Sequence, residues 1–153
     1  VAITFPRPVS VAAVRAHLVR HEGYRTRPYR DGTGWSVGVG HSLTAHGERP
    51  RWDHPYTERE IERWLVEDYC WAIDASRKGI ERFDSLPHDV QLVVIGVAFS
   101  VGRTGFERFK GFRLAVSYRA YTMAASELGL SRWANQVSPN RFNAYLRILR
   151  AQP

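Results

Sequence analysis

The run His21-Glu22-Gly23-Tyr24-Arg25, followed by Tyr29-Arg30-Asp31-Gly32-Thr33-Gly34-Trp35-Ser36-Val37-Gly38-Val39-Gly40-His41, is where the hydrophobic period of this chain changes. Upstream of it, Val11, Val14, Leu18 and Val19 recur at helical spacing behind Ser10, a good N-cap residue. Gly23 is a helix stop and leaves Glu22 in the last turn. From residue 28 to residue 43 the period becomes two, with Tyr29, Trp35, Val37 and Val39 set among glycines. Asp-Gly and Thr-Gly turn signals between these positions predict a small antiparallel sheet.

Residues 1–9 hold two prolines and read as an extended lead-in; residues 42–56, with Gly47, Pro50 and Pro55, read as loop. Thr57 and Glu60 then stand at capping-box spacing, with Tyr56 and Ile61 where a hydrophobic staple would place them. Ile61, Trp64, Leu65, Asp68, Tyr69 and Ala72 continue one helical face, and Gly79 is a plausible stop. A helix of that length runs ~30 Å, long enough to join two lobes. Residues 84–153 read as all helical. Asp84 or Ser85 offers a cap ahead of Pro87, and residues 90–101 are apolar nearly all round, the pattern of a central buried helix. Another helix is expected over about 113–128. Ser138 caps the last one with Pro139 at its first position, and Phe142, Tyr145, Leu146 and Leu149 form its apolar face. The expected fold is α+β in one domain over residues 1–153. A lobe of about 10–56 carries the sheet, a helix of about 57–79 connects, and a helical lobe covers 80–153.

The chain has 153 residues, 44% hydrophobic and 24% charged, enough apolar content for a packed core. A net charge of +7 favours anionic partners: nucleic acid, anionic lipid or an acidic cell-envelope polymer. The basic residues are spread from Arg7 to Arg150 without a block of five or six, which counts against a nucleic-acid arm. The longest apolar run, residues 92–99, is too short to span a membrane, so no stable membrane insertion is expected. Cys70 is the single cysteine; no internal disulfide can form, and its helical setting reads as a small buried hydrophobe. His17 and His21 lie one helical turn apart beside Glu22, but not in the His-Glu-x-x-His order of a zinc site, and no metal is expected.

Glu22 alone reads as an ordinary glutamate, and Asp31 before Gly32 as a turn residue. Together, on short adjacent elements, they are what glycoside hydrolysis uses: one carboxyl protonates a leaving oxygen and the other manages water or a cation. At the end of a helix Glu22 also faces the negative end of the dipole, which eases retention of its proton.

At Glu22-Gly23-x-Arg25-x-x-x-Tyr29-x-Asp31, closing on Gly38-x-Gly40-His41, the chain resembles the phage-type lysozymes, a glycoside hydrolase family that includes the T-even phage muramidases. Phe99-x-x-Gly102-x-Thr104-Gly105-x-x-x-Phe109 resembles that family's central-helix exit. Ser131-Arg132-Trp133-x-Asn135-Gln136, with Pro139-Asn140-Arg141, resembles its C-terminal signature.

The resemblance implies a two-lobed, lysozyme-like muramidase acting on the glycan strands of peptidoglycan, with no cofactor. Glu22 would be the general acid, and Asp31 would place and deprotonate water, with inversion. Ser36 maps to a catalytic threonine of the family, at an interval one residue shorter. Arg141 matches an arginine that pairs with the catalytic glutamate, and His41 is expected to support the sheet. Tyr29, Trp35 and Phe99 are the aromatic residues best placed by motif to meet sugar, whereas Trp64, Trp71 and Trp133 read as core.

Two other readings stay open at this stage. One is a lytic transglycosylase using Glu22 alone; the other is a non-enzymatic binder of cell wall or nucleic acid. The expected setting is the bacterial wall in the periplasm. The protein would be either an endolysin held in the host cytoplasm before lysis or a virion-carried domain. A start at Val1 and the proline-containing lead-in favour a domain of a larger virion protein, monomeric when isolated.

Overall fold

The computed structural model describes residues 7–153; residues 1–6 of the expected lead-in lie outside the described residues. In chain order the elements are α1 (Val11–Glu22), β1 (Arg25–Asp31), β2 (Gly34–Gly38), β3 (His41–Ser42), α2 (Glu58–Gly79), α3 (His88–Arg108), α4 (Lys110–Ser117), α5 (Tyr121–Gly129), α6 (Trp133–Gln136) and α7 (Pro139–Arg150). A 3-10 turn over Phe83–Ser85 precedes α3. The class is α+β, with all three strands gathered near the N-terminus. The described chain divides into two compact units: Val11–Trp71, and Ala72–Pro153 with residues 7–10.

In the first unit, Val14 and Leu18 of α1 are fully buried, as are Val37, Leu43, Ile61 and Leu65. The sheet is antiparallel in the order β1-β2-β3. It begins earlier than residue 28, because the polar segment Arg25-Thr26-Arg27 joins β1 across a bulge. Gly32 and Thr33 form the two-residue turn, and Gly32 takes the left-handed conformation (φ 60°) that such hairpins need. Tyr29 pairs with Ser36, Arg30 with Trp35 and Asp31 with Gly34. Since side chains alternate across a strand, Tyr29, Asp31 and Ser36 share one face. Arg30, Trp35 and Val37 share the other, with His41 opposite Val37.

The start of α2 carries the expected capping box. The Glu60 amide donates to Thr57 Oγ1 at 3.2 Å, and the Thr57 amide donates to Glu60 Oε2 at 2.7 Å. Arg51 grips the same carboxylate at 2.9 and 3.0 Å and holds Glu60 well below the usual carboxylate range, at about 2. The apolar stripe along α2 turns Trp64, Leu65, Tyr69 and Ala72 inward. Cys70 falls off that stripe and is exposed, contrary to the buried setting expected from its apolar neighbours. Trp71 is half-buried rather than core.

In the second unit α3 is the central helix, with Val90, Val93, Val94 and Val97 fully buried. Its 21 residues are long and apolar enough to cross a membrane by length and composition alone, which the run of residues 92–99 did not reveal; the buried valines mark it as a core helix. Helical geometry breaks at Gly102 (φ 75°, ψ 173°), a backbone state open to glycine, and resumes up to Arg108. The single helix expected over about 113–128 is two, α4 and α5. Arg119 turns the chain with φ 60°, and its guanidinium pins the corner by donating to the carbonyls of Glu81, Arg82 and Ser117.

Buried Gln91 donates to Leu86 O at 2.8 Å and to Arg7 O at 3.1 Å, and accepts from the Val9 amide at 2.9 Å. It thereby fastens residues 7–9 to α3. In α7, Ser138 Oγ accepts from the Arg141 amide as a cap. The buried stripe there is Arg141, Tyr145, Leu146 and Leu149, with Phe142 only half-buried.

Candidate active site

Gly23 takes φ 82° and donates its amide to Val19 O at 2.9 Å, which closes α1 and leaves Glu22 as its final residue. The Glu22 side chain is half-buried and lies against Gly40. A methyl group placed on Gly40 would stand 3.2 Å from Glu22 Oε2 and 3.4 Å from its Cδ. Gly40 also holds φ 66°. Glycine is therefore required there twice, once by the backbone and once by the carboxyl beside it.

Asp31 ends β1 beside the turn and is exposed. Ser36 Oγ, on the paired strand, donates to Asp31 Oδ2 at 3.2 Å. Ser36 itself is 1% exposed, so its hydroxyl is held by the sheet while the aspartate meets water. The one-residue shortening between Asp31 and Ser36 thus still leaves the two side chains bonded across the hairpin.

Tyr29 stands on the same face and registers both carboxylates. Burial, then the negative charges of Asp31 and Glu22, push its phenol up to about 12, against the opposing charge of Arg25. The Arg25 guanidinium sits 4.2 Å above the ring. A neutral hydroxyl-bearing ring therefore accompanies a half-buried and an exposed carboxyl.

His41 Nδ1 lies 2.9 Å from Asp68 Oδ2, and its ring is sandwiched. Trp64 stacks at 4.5 Å within 2° of parallel, and His46 at 4.4 Å within 26°. His41 is 3% exposed, and this setting orients and packs the ring rather than presenting it to a ligand. His41, His46 and Asp68 bring possible metal-donor atoms within 4.8 Å of one another. His41 Nδ1, however, is already engaged with Asp68. His46 Nδ1 is also engaged with Ser42 O at 2.7 Å.

Trp35 is on the opposite face of the hairpin from Asp31 and Ser36. Its ring carries the Arg30 guanidinium at 4.4 Å and meets Trp52 edge-on at 4.9 Å. Phe99 and Arg141 belong to the second unit. Phe99 is half-buried on α3. Arg141 is 4% exposed; its Nη2 donates to Gly96 O at 3.0 Å, and its guanidinium lies 5.4 Å from the Tyr145 ring and 5.9 Å from the Trp133 ring.

Three residues packed around the α1–sheet region were given no role from sequence. Asp68 carried a signal, a carboxylate on an otherwise apolar helical stripe. Gly40 stood in the Gly38-x-Gly40-His41 motif, but its contact with Glu22, 18 residues away, was not legible there, and Trp52 carried no signal, because Trp35 lies 17 residues away.

A helix-terminal carboxyl beside a three-stranded sheet, with a hydroxyl-bonded aspartate at its first turn, marks a small α+β domain built around two carboxylates. The family model for phage lysozyme matches residues 19–146, and the chain belongs to that family. It is also similar to peptidoglycan hydrolase gp36 of Pseudomonas phage phiKMV, with 26% identity over 133 residues. That match covers 87% of this chain and 14% of the relative.

Proposed function

We propose that this protein is a peptidoglycan hydrolase of the muramidase type. It cleaves the β-1,4 bond between N-acetylmuramic acid and N-acetylglucosamine, with residues 1–153 acting as one muralytic domain. The observation that carries this reading is the unequal pair on the N-terminal unit: Glu22 half-buried against Gly40, and Asp31 exposed under the Ser36 hydroxyl. Burial suits a carboxyl that must deliver a proton, and exposure suits one that must stay ionised.

Glu22 gives its proton to the glycosidic oxygen as the bond to the anomeric carbon breaks. Water adds to that carbon from the opposite side, and Asp31 takes the proton it loses. Ser36 holds one aspartate oxygen and leaves the other for the water. Inversion at the anomeric carbon follows, and it requires about 6.5–9.5 Å between the carboxyl groups. Tyr29 and Phe99 serve sugar binding, Arg141 supplies a supporting cation, and His41 supports the sheet. The hydroxyl bond on Asp31 favours a hydrolase over a transglycosylase, because it equips a residue that water-free chemistry does not use. The role follows as degradation of the bacterial wall in phage infection or lysis, with the glycan strand as partner and a monomer as the working unit.

The test is digestion of purified peptidoglycan by the wild type and by Glu22→Gln, with mass spectrometry of the products. Reducing muramic ends that disappear in the variant, with a rate loss of about a thousandfold, are expected. Anhydro ends would move the reading to a transglycosylase. Unchanged lysis by the variant would remove Glu22 from the chemistry.

A further inference from the structure

The hairpin has a second face that carries exposed aromatic and cationic side chains. Trp52 is 56% exposed, a large flat ring turned to water on a loop whose other aromatic residue, Tyr56, is buried. It is a built feature rather than a loose one. Trp35 meets it edge-on at 4.9 Å, and Arg27 Nη1 donates to the Trp52 carbonyl at 3.3 Å. Trp35 is fixed in turn, since its amide donates to Thr44 Oγ1 at 2.8 Å and its carbonyl accepts from the Leu43 amide at 2.9 Å. Arg30 lies across the Trp35 ring and donates to Thr33 O at 3.3 Å. Two indoles and two guanidinium groups are thus held in place before any partner arrives, which lowers the ordering cost of binding.

We propose that the Arg30, Trp35 and Trp52 cluster is a secondary binding surface for the peptidoglycan glycan strand, used to hold the enzyme on the wall rather than to cut it. The proposal rests on the wall-hydrolase reading above. A sugar ring offers an apolar C–H face rimmed by hydroxyls, which suits a flat indole with hydrogen-bond donors at its margin. Stem peptides on muramic acid bring carboxylates, which suit Arg27 and Arg30. Asp53, the acidic residue next to Trp52 in the chain, has its carboxylate held by His54 Nδ1 at 2.9 Å. Register places the cluster on the face away from Asp31 and Ser36. A strand bound there does not compete with one being cleaved, and one molecule can engage two strands of the same mesh.

The experiment uses sacculi and the catalytically blocked Glu22→Gln protein, so that the bound polymer is not consumed. Retention on sacculi is compared with and without Trp52→Ala, Trp52→Phe and Arg30→Gln, with melting midpoints measured for each. Expected are about tenfold weaker retention for Trp52→Ala, near-full retention for Trp52→Phe, and a smaller loss with a shallower salt dependence for Arg30→Gln. In the active protein, Trp52→Ala should slow clearing of intact sacculi and leave cleavage of a short soluble glycan within about twofold. Unchanged retention in both Trp52→Ala and Arg30→Gln overturns the proposal, as does an equal loss on the soluble glycan. Trp52-dependent binding to DNA-cellulose, or Trp52-dependent dimerisation, in place of sacculus binding overturns it too. Should Trp52→Ala melt early, Arg30→Gln, an exposed substitution, carries the test. Failure of the wall-hydrolase reading itself shows separately, as continued lysis by Glu22→Gln.

Discussion

The two faces of the β1–β2 hairpin are made from alternate residues of the same strands, yet they carry opposite chemistry. One presents Tyr29, Asp31 and the Ser36 hydroxyl, with Glu22 registering on the same tyrosine. The other presents Arg30 on Trp35 and leads inward to Val37 and His41, which are closed over by Trp64 and Asp68. On the first face Asp31 can be changed at little cost in packing, because it is already in water. At the inner end of the second, around His41 and Trp64, changes disturb buried rings. The lesson is that chemistry and stability are separated here by a shift of one residue, and the register between strands keeps them apart.

The sharpest way to break this separation is Gly40→Ala. The added methyl would meet the Glu22 carboxyl at 3.2 Å on a backbone with φ 66°. A displaced general acid should lower turnover by about a hundredfold. The fold should lose about 1–2 kcal/mol, read as a modest drop in the melting midpoint. A large stability loss with intact turnover per folded molecule would show that Gly40 serves the fold and not Glu22.

Ser36→Ala removes the hydroxyl bonded to Asp31. Turnover should fall about tenfold, with Ser36→Thr restoring most of it and the thermal midpoint nearly constant. Full activity in Ser36→Ala would leave Asp31 positioned by the turn alone.

On the other face the sign reverses. Asp68→Ala strips His41 of its 2.9 Å partner inside the Trp64 and His46 stack. The expected cost is about 2–3 kcal/mol of stability, or roughly 5–10 °C in the melting midpoint, with kcat on peptidoglycan unchanged well below that temperature. A selective loss of kcat at full stability would join the two faces into one functional unit.

Much of this was legible along the chain. The capping box at Thr57 and Glu60, the Ser138 cap, the Gly23 stop and the glycine-marked turn depend on residues within a few positions of one another, so sequence alone determined them. The order of the family motifs singled out Glu22, Asp31 and Ser36 as candidates for the same reason. Tertiary structure decided the rest. Which face Trp35 occupies depends on cross-strand register, and the bulge between Arg25 and Tyr29 is invisible to a period-two pattern. Arg119 splitting one apolar run into two helices depends on carbonyls it reaches from Glu81 and Arg82. Cys70 is exposed because the helix stripe selects one side of an apolar segment. Glu22 and Asp31 differ in solvent exposure because Gly40 closes over one and nothing covers the other. A sequence lists carboxyl groups, but only packing removes water from one of a pair.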